Sequence, residues 1–257
     1  MSKVLITGSA DGLGQMAAQQ LVDDGHQVVV HARSRRRAED ALRATPGAGR
    51  VVVGDLSSIA QTRAVADQAN AAGPFDAVIH NAGVGFREPR IETADGLAHV
   101  FAINVLAPYL LTALIAPPAR LVYLSSGMHH GGDPDLSDLQ WTRRRWNGAQ
   151  AYSDSKLFDL VLAFAVARRW PRVLSNAVEP GWVATKMGGP GAPDDLSLGS
   201  DTQTWLATST SPDATVTGRY FYHRRPRAFH PAAASIEVQD GLLRACEALT
   251  GVALPAE

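Results

Sequence analysis

Short, uninterrupted apolar runs alternate along the first part of the chain with longer segments whose apolar residues recur at helical spacing. The first four runs are KVLIT, QVVVHA, RVVV and DAVIH, and the helical segments between them cover 13–24, 36–44 and 59–71. Continuous Val, Ile and Leu without polar alternation is typical of strands that are buried on both faces of a parallel sheet. Right-handed crossovers then place helices on both faces of that sheet. The pattern predicts an α/β fold with a doubly wound sheet.

The same alternation continues in the second half of the chain. It predicts a long helix over 93–115, the strand RLVYLSS, a helix that begins near residue 151, the strand RVLSNAV and a late strand RYFYH. No linker long enough to separate two domains interrupts this rhythm. We therefore expect one domain over 1–257, with about seven parallel strands.

Two segments depart from the alternation. The first, 128–150, contains Gly-Gly, Asp-Pro and three consecutive arginines, so it is interpreted as an excursion inserted between a strand and the next helix. The second, 186–210, is rich in glycine and proline over 188–200. It occupies the place where α/β enzymes often carry a mobile loop, and we expect it to be a substrate lid.

Composition and charge narrow the class of protein. A chain that is 46% hydrophobic and 19% charged, with a net charge of -1, gives no reason to expect nucleic acid or an anionic membrane as a partner. A single cysteine, Cys246, excludes an internal disulfide and fits a reducing compartment. The longest apolar stretch of the second half, 160–167, is well short of the roughly 20 residues of a membrane-spanning helix. With no signal-peptide pattern at the start, we expect a cytoplasmic protein.

Glycines punctuate the turn between the first strand and the first helix, in TGSADGLG at 7–14. Glycine allows a tight turn and close approach of a ligand, and the helix behind it directs free N–H groups and its positive dipole end at a pyrophosphate. A purely structural strand-to-helix turn is the alternative. The candidate dinucleotide contacts in this loop are Gly8, Ser9, Asp11, Gly12, Leu13 and Gly14.

The end of the second strand distinguishes the two nicotinamide cofactors. An acidic residue there would bind the adenosine ribose 2′-hydroxyl, but Ala32 occupies the position and Arg33 follows it. A guanidinium pairs with a 2′-phosphate, and Ser34 and Arg35 would add donors, so NADP(H) is favoured over NAD(H). Asp11 faces the same region and weakens this preference. The arginines at 35–37 are open to a simpler interpretation as the solvated start of a helix.

Tyr152 and Lys156 stand one helical turn apart, so their side chains are neighbours on one face. A phenol with a pKa of ~10 exchanges protons poorly at neutral pH, and an adjacent ammonium lowers that pKa. A shift of ~3 units corresponds to roughly 4 kcal/mol, which Lys156 and an oxidised nicotinamide would supply together. This predicts Tyr152 as a general acid/base, with an ordinary surface pair as the alternative.

Further motifs follow the glycine loop along the chain in a fixed order. The full set is TGSADGLG, GDLS at 54–57, NAG at 81–83, Asn104, YLSS ending at Ser126, Tyr152-x-x-x-Lys156 and PGWVAT at 180–185. This order resembles that of the short-chain dehydrogenase/reductase family, which implies a Rossmann-type fold. The stretches SSGMHHGG, AYSDSKL and TWLATSTSPDATVTGRYF are similar to its retinol-dehydrogenase-like branch and extend the resemblance nearly to the C-terminus.

The resemblance also implies a reaction and a set of catalytic residues. Tyr152 would deliver a proton to a carbonyl oxygen that Ser126 steadies by hydrogen bonding, while the nicotinamide delivers hydride to the carbon. Lys156 would grip the nicotinamide ribose, and Asn104 would support Lys156 through a water. The further cofactor contacts that the resemblance implies are Asp55, Leu56, Asn81, Ala82, Gly83, Pro180, Gly181, Val183 and Thr185.

Several residues depart from the family pattern or compete with it. His80 stands where the family often has asparagine, and Glu179 where this branch often has histidine; we expect neither on the path of the proton or hydride. Ser125 is the competing serine, and the family pattern selects the second of the pair. His129 and His130 lack metal-ligand spacing, so we expect no metal site and interpret them as part of a polar surface loop.

The sequence thus predicts an NADP(H)-dependent oxidoreductase that interconverts a carbonyl and an alcohol, with reduction favoured. Met128, Trp182 and Met187, together with Trp141, suggest a pocket for an apolar or aromatic substrate. Two alternatives remain open: reduction of an activated carbon–carbon double bond, and a non-catalytic regulator that senses NADP(H).

The resemblance also implies self-association. The apolar helix over 152–170 and the long helix before it match the usual subunit interface of the family, so a homodimer or homotetramer is expected.

Overall fold

A parallel sheet forms the centre of the protein in a computed structural model that describes residues 1–256. The strand order in those residues is β3-β2-β1-β4-β5-β6-β7-β8, and only β8 runs antiparallel to its neighbour. The predicted α/β sheet of about seven parallel strands is confirmed, and β8 is an addition. The strands are β1 (Lys3–Ile6), β2 (Gln27–Ala32), β3 (Arg50–Val53), β4 (Ala77–His80), β5 (Arg120–Leu124), β6 (Leu174–Val178), β7 (Tyr220–Tyr222) and β8 (Arg225–Pro226).

Helices cover both faces of the sheet, as the uninterrupted apolar strands require. In β1, Leu5 packs into the core on one face, while Val4 and Ile6 pack into the core on the other, because successive side chains of a strand point to opposite faces. The helices are α1 (Gly12–Asp23), α2 (Arg35–Ala44), α3 (Ile59–Ala72), α4 (His99–Phe101), α5 (Ala107–Leu114), α6 (Gly148–Arg169), α7 (Asp201–Thr208) and α8 (Ile236–Thr250).

The long helix predicted over 93–115 begins later than expected and is not uniform. Thr93 and Gly96 form a turn instead, in which the Thr93 hydroxyl accepts from the Leu97 N–H and Gly96 has a φ of +74°. A side chain that bonds nearby backbone offers an alternative to the helix, which explains the late start. Between α4 and α5 the chain forms a π-helical turn, Ala102–Leu106.

The excursion after β5 is ordered by carboxylates. It begins as a short 3₁₀ turn, Gly127–Gly131, and the loop that follows is held by Asp138, which accepts backbone N–H groups over 142–144. Arg144 then pairs with Asp154 on α6 at 2.8 Å. Helix α6 starts at Gly148, so the last three residues of the predicted excursion are helical.

The predicted lid, 186–210, divides into two parts. Residues 186–200 form a loop with one 3₁₀ turn, but α7 follows, and its Leu206 and Ala207 lie in the core between the sheet and α1. The assignment of that helical part to a lid is therefore wrong, because its apolar side chains are buried on the sheet. Movement of the loop over 186–200 stays a prediction.

Helix α6 is enclosed by its own chain. Every residue from 151 to 166 is buried, in contact with β5, β6, α8 and the 3₁₀ turn Pro231–Ala234. The C-terminal segment adds to this cover, since the Tyr109 hydroxyl donates to the Val252 carbonyl and the Trp170 indole donates to the Pro255 carbonyl. The apolar faces on which the expected oligomer depends are thus covered within one chain.

No helix in the described part of the chain combines the length and apolarity needed to cross a bilayer.

Candidate active site

A groove of about 830 Å³ runs along the carboxyl edge of the parallel strands. It opens where the strand order reverses between β1 and β4, which is the place where doubly wound sheets bind ligands. Most of the predicted site residues meet in this one groove. Those that line it are Gly8, Asp11, Gly12, Leu13, Gly14, Arg33, Asp55, Leu56, Asn81, Ala82, Gly83, Tyr152, Lys156, Pro180, Thr185 and Met187.

The glycine loop packs too tightly for side chains at two positions. A Cβ on Gly14 would lie 2.3 Å from the Asn81 amide nitrogen and 2.5 Å from the Gly8 carbonyl oxygen. Gly8 has a φ of +63°, and a Cβ there would lie 2.7 Å from the Ala82 backbone. Asn81 fixes this contact by donating to the carbonyls of Thr7 and Gly8. The loop and the strand end after β4 therefore form one rigid wall of the groove.

His31 is a groove residue that the sequence analysis did not single out. The Gly8 N–H donates to Nδ1 at 2.9 Å, so Nε2 carries the proton and donates to the Gly54 carbonyl at 2.9 Å. Burial lowers the pKa of His31, which keeps the ring neutral in this role. The sequence signal that could have identified His31 is a polar residue inside the apolar run VVVHA.

Charged residues surround the end of the groove beside β2. Arg33 is exposed and lines the groove, while Asp11 accepts from Arg37 at 2.8 Å and from Lys186 at 2.7 Å. Two cations therefore offset the negative charge of Asp11, which the sequence analysis expected to disfavour a bound 2′-phosphate. Arg37 also lines the groove, so it is more than part of a solvated helix start. Ser34 accepts from the Arg37 N–H and caps α2.

Four of the predicted cofactor contacts lie outside the groove lining. Ser9 is fully buried, donates to the Ile6 carbonyl at 2.9 Å and accepts from the His31 N–H at 2.8 Å, so its hydroxyl supports the loop from behind. Ser34 is engaged as the helix cap described above. The remaining two, Gly181 and Val183, flank the lining residues Pro180 and Thr185 without joining them.

Tyr152 and Lys156 both face the groove from α6. Tyr152 is only 7% exposed, and its hydroxyl lies 3.9 Å from the Met187 sulfur. The Lys156 Nζ lies 5.8 Å from the centre of the Tyr152 ring. The two side chains are thus buried neighbours rather than a surface pair.

Lys156 is held by two acceptors. Its Nζ donates to the Leu124 carbonyl at 2.8 Å and to Asp159 Oδ2 at 2.7 Å. Burial disfavours the charged form, but the charges of Asp159 and Tyr152 outweigh this effect and raise the pKa of Lys156. The ammonium therefore stays protonated at neutral pH.

Asn104 lies in the π-helical turn and is fully buried. Its amide exchanges hydrogen bonds with the backbone of Val84, accepting at 2.8 Å and donating at 3.1 Å, and also donates to the Ser155 hydroxyl at 2.9 Å. A Cβ on Gly83 would lie 3.4 Å from Asn104 Oδ1 and 3.5 Å from Lys156 Nζ. Asn104 and Lys156 therefore both lie close to Gly83, although Asn104 does not line the groove.

The two serines after β5 are engaged differently. Ser125 lines the groove, but its hydroxyl donates to the Lys156 carbonyl at 2.7 Å. Ser126 accepts from the Met128 N–H at 3.2 Å, and its own O–H donates to no acceptor in the described part of the chain. Ser126 is outside the groove lining, yet it keeps the free hydroxyl donor.

His129 is not part of a polar surface loop, and that interpretation is wrong. It is fully buried, accepts from the His230 N–H at 3.3 Å and donates from Nδ1 to the Ser126 carbonyl at 2.7 Å. Burial lowers its pKa to about 4, so the ring is neutral at pH 7. His129 anchors the backbone of Ser126 to the segment before α8, while His130 is exposed.

The two departures from the family pattern also have structural explanations. Burial lowers the pKa of His80 to about 3, and the neutral ring stacks on Tyr123 and hydrogen-bonds to Thr112. Glu179 packs against Gly127, where a Cβ would lie 2.7 Å from its carboxylate. Burial raises the pKa of Glu179.

Only one of the proposed substrate contacts lines the groove. Met187 does so, but Met128 does not, and Trp182 is 60% exposed with its indole donating to the Gly188 carbonyl. Trp141 is buried beneath Arg144 and serves the core of the excursion. Instead, Phe86 lies beside the site, with its ring centre 6.0 Å from that of Tyr152.

The groove fits a dinucleotide on its own geometry. Gly12 has a φ of +58°, and a Cβ added there would meet no atom within 4 Å, so the N-terminus of α1 is open to a ligand. Three polar side chains of the predicted site line the groove: Arg33 follows β2, on one side of the strand-order reversal, and Tyr152 and Lys156 lie on α6, which packs against β5 on the other side. Fold and site together define a Rossmann-type nucleotide-dependent oxidoreductase.

Comparisons with known proteins agree with this class. The profile of the family described as short chain dehydrogenase matches residues 2–132. An uncharacterized oxidoreductase of Emericella nidulans is 44% identical, over 99% of both chains. Human retinol dehydrogenase 14 is 34% identical, over 72% of this chain and 62% of its own. A crystal structure of an uncharacterized protein from Mycobacterium paratuberculosis superposes with a TM-score of 0.85 at 27% identity, over 99% of this chain and 95% of that one.

The chain belongs to the short-chain dehydrogenase/reductase family and is similar to its retinol-dehydrogenase-like branch. It is therefore an NAD(P)-dependent dehydrogenase/reductase. The resemblance found in the motifs is confirmed by these matches.

Gly14→Ala tests the close packing of the loop. Alanine is favoured over glycine in a helix by about 1 kcal/mol, so propensity alone predicts a more stable protein. The contact with Asn81 predicts the opposite, a lower midpoint in urea denaturation. Gly131→Ala is the matched control, because a Cβ at Gly131 meets nothing within 4 Å. Equal or higher stability of Gly14→Ala would contradict the packing described here.

Proposed function

We propose that this protein is an NADP(H)-dependent oxidoreductase that interconverts a carbonyl and an alcohol, with Tyr152 as the general acid/base. The observation that carries the proposal is the burial of Tyr152 and Lys156 together in the same groove as the glycine loop. Such a groove brings a proton donor next to the place where a nicotinamide ring would lie. Reduction of the carbonyl is the favoured direction.

The chemistry divides between the cofactor and the chain. When bound, the nicotinamide supplies the hydride that reduces the carbonyl carbon. The Tyr152 hydroxyl donates its proton to the carbonyl oxygen, and the free O–H of Ser126 hydrogen-bonds to the same oxygen. The Lys156 ammonium, 5.8 Å from the centre of the Tyr152 ring, offsets the negative charge that develops as the proton is transferred. Asn104 supports this arrangement from the π-helical turn.

The preference for NADP(H) is supported by the basic end of the groove. Arg33 follows β2 where an acidic residue would select the ribose of NAD(H), and Arg37 lines the same end. Asp11, the one carboxylate that argued against a phosphate, already pairs with Arg37 and Lys186.

The substrate end of the groove favours an apolar compound. Met187 and the partly exposed Phe86 lie next to Tyr152, and neither offers a strong hydrogen-bonding group. Reduction of an activated carbon–carbon double bond is the enzymatic alternative, and product analysis separates it from carbonyl reduction. A regulator that only senses NADP(H) is disfavoured, because it would have no need of a buried Tyr152 beside Lys156.

Tyr152→Phe tests the proposed proton donor. Loss of a general acid costs about 10²–10⁴-fold in rate, so turnover of a panel of carbonyl compounds, followed by NADPH absorbance, should fall by at least this factor. NADPH binding, followed by its fluorescence, should stay near that of the wild type. Tyr109→Phe is the matched control, because Tyr109 is also buried and hydrogen-bonded but lies outside the groove. Turnover that survives in Tyr152→Phe would refute the assigned role.

Arg33→Ala tests the cofactor preference. A hydrogen bond to a charged group contributes about 1.5–3 kcal/mol, so the affinity for NADPH should fall roughly 10-fold to 100-fold, while the affinity for NADH changes little. Arg43→Ala is the control, since the Arg43 side chain is 69% exposed and does not line the groove. Equal losses for both cofactors in Arg33→Ala would argue against a 2′-phosphate site.

The enclosure of α6 favours a monomer over the homodimer or homotetramer that the resemblance implied. The expected homodimer or homotetramer needs apolar faces of α5 and α6, and both helices are buried almost throughout their length by the chain itself. We therefore expect a monomer of 27.3 kDa in analytical ultracentrifugation at micromolar concentration. A species of twice or four times that mass would show that another surface supports association.

A further inference from the structure

A carboxylate behind the proposed active site holds the ammonium of Lys156. Asp159 lies three residues further along α6, is 3% exposed, and places Oδ2 2.7 Å from Lys156 Nζ. It does not line the groove, so it meets neither substrate nor cofactor directly. Neither the family resemblance nor the motifs assign a role to this residue.

The hydrogen bonds of Lys156 explain what Asp159 does. An ammonium has three N–H donors, and two of them are used by Asp159 and the Leu124 carbonyl. The third donor is left for the groove, which Lys156 lines beside Gly83. With two acceptors fixed in the protein, the direction of the third donor is fixed as well.

Asp159 depends on Lys156 for its charge compensation. Burial raises the pKa of Asp159 to about 6, although Lys156 acts in the opposite direction. On the neighbouring strands the titratable groups are Tyr123, whose pKa is raised first by burial and also by Asp159, and His80, which is neutral at pH 7. Among the described residues, Lys156 is thus the cation that acts on Asp159.

We propose that Asp159 is a positioning residue that orients the Lys156 ammonium toward the bound cofactor and Tyr152. This inference rests on the proposed function for its catalytic consequence, while its effect on cofactor binding can be measured separately. Because the pKa of Asp159 is raised to about 6, its carboxylate and the ion pair with Lys156 are present at pH 7 and above and are lost as the pH falls through about 6. Activity and cofactor affinity should therefore share an acid limb near pH 6.

Asp159→Asn is the direct test, because it keeps the size of the side chain and one oxygen acceptor but removes the charge. Misplacement of a supporting group costs about 10-fold to 100-fold, so we expect this loss in kcat/KM at pH 7.5. NADPH affinity, measured by fluorescence titration between pH 5 and 8, should also fall and should lose its acid limb. Asp159→Glu should restore part of both quantities, because it returns the charge.

Asp154→Asn is the matched control. Asp154 is a buried aspartate on the same helix that pairs with Arg144 at 2.8 Å and does not contact Lys156. If the loss of kcat/KM came only from disturbed folding, it should be as large in Asp154→Asn as in Asp159→Asn. The positioning role instead predicts that the acid limb of NADPH affinity persists in Asp154→Asn and disappears in Asp159→Asn. Circular dichroism at each pH shows whether either variant is folded. If Asp159→Asn is unfolded, Asp159→Glu replaces it in the comparison, and its acid limb of NADPH affinity should shift to a different pH.

The outcomes separate this proposal from the proposed function. If Asp159→Asn and Asp159→Glu both keep the wild-type acid limb and NADPH affinity, the positioning role is overturned, even when turnover depends on Tyr152. If the wild type binds NADPH with an acid limb that Asp159→Asn removes, but turns over no carbonyl compound, the proposed function fails and the positioning role stands.

Discussion

A buried positive charge sets the arrangement of this site. Removal of an ammonium from water costs several kcal/mol unless fixed acceptors compensate it, and Lys156 is 4% exposed. The acceptors come from two elements: the Leu124 carbonyl at the end of β5 and Asp159 on α6 itself. Asp159 is in reach because it lies one helical turn from Lys156, whereas the Leu124 carbonyl is in reach because α6 packs against β5. The packing of one helix on one strand thus determines where the charge lies and which way it faces.

The groove in front of this charge exists because the strand order reverses between β1 and β4. The glycine loop closes one side of it, pressed against Asn81 after β4, and His31 ties that loop to the end of β3. His31 itself lies on β2, so the side chains of Asn81 and His31 join the ends of four neighbouring strands, β3, β2, β1 and β4. This cross-bracing explains how a loop rich in glycine can still present a defined surface to a ligand.

The C-terminal part of the chain covers the two helices on which the expected subunit interface depends. Helix α8, the turn Pro231–Ala234 and the segment that follows α8 cover α5 and α6. The same cover reaches the site, because the His230 N–H donates to His129, which in turn holds the Ser126 carbonyl. The C-terminal segments that cover α6 therefore also help to hold Ser126 in position.

Local pattern determined much of this protein by itself. Strands buried on both faces, a glycine loop before α1 and the spacing of Tyr152 and Lys156 all express short-range geometry, so they could be predicted from the sequence. Burial could not, because it depends on residues far apart in the chain: His129 is enclosed by a partner 101 positions away. The same reason explains why a supposed lid contains the core helix α7, and why Trp182 is exposed while Asp159 is hidden. Only the tertiary structure decides which polar side chains lose water, and with it which of them must find a partner.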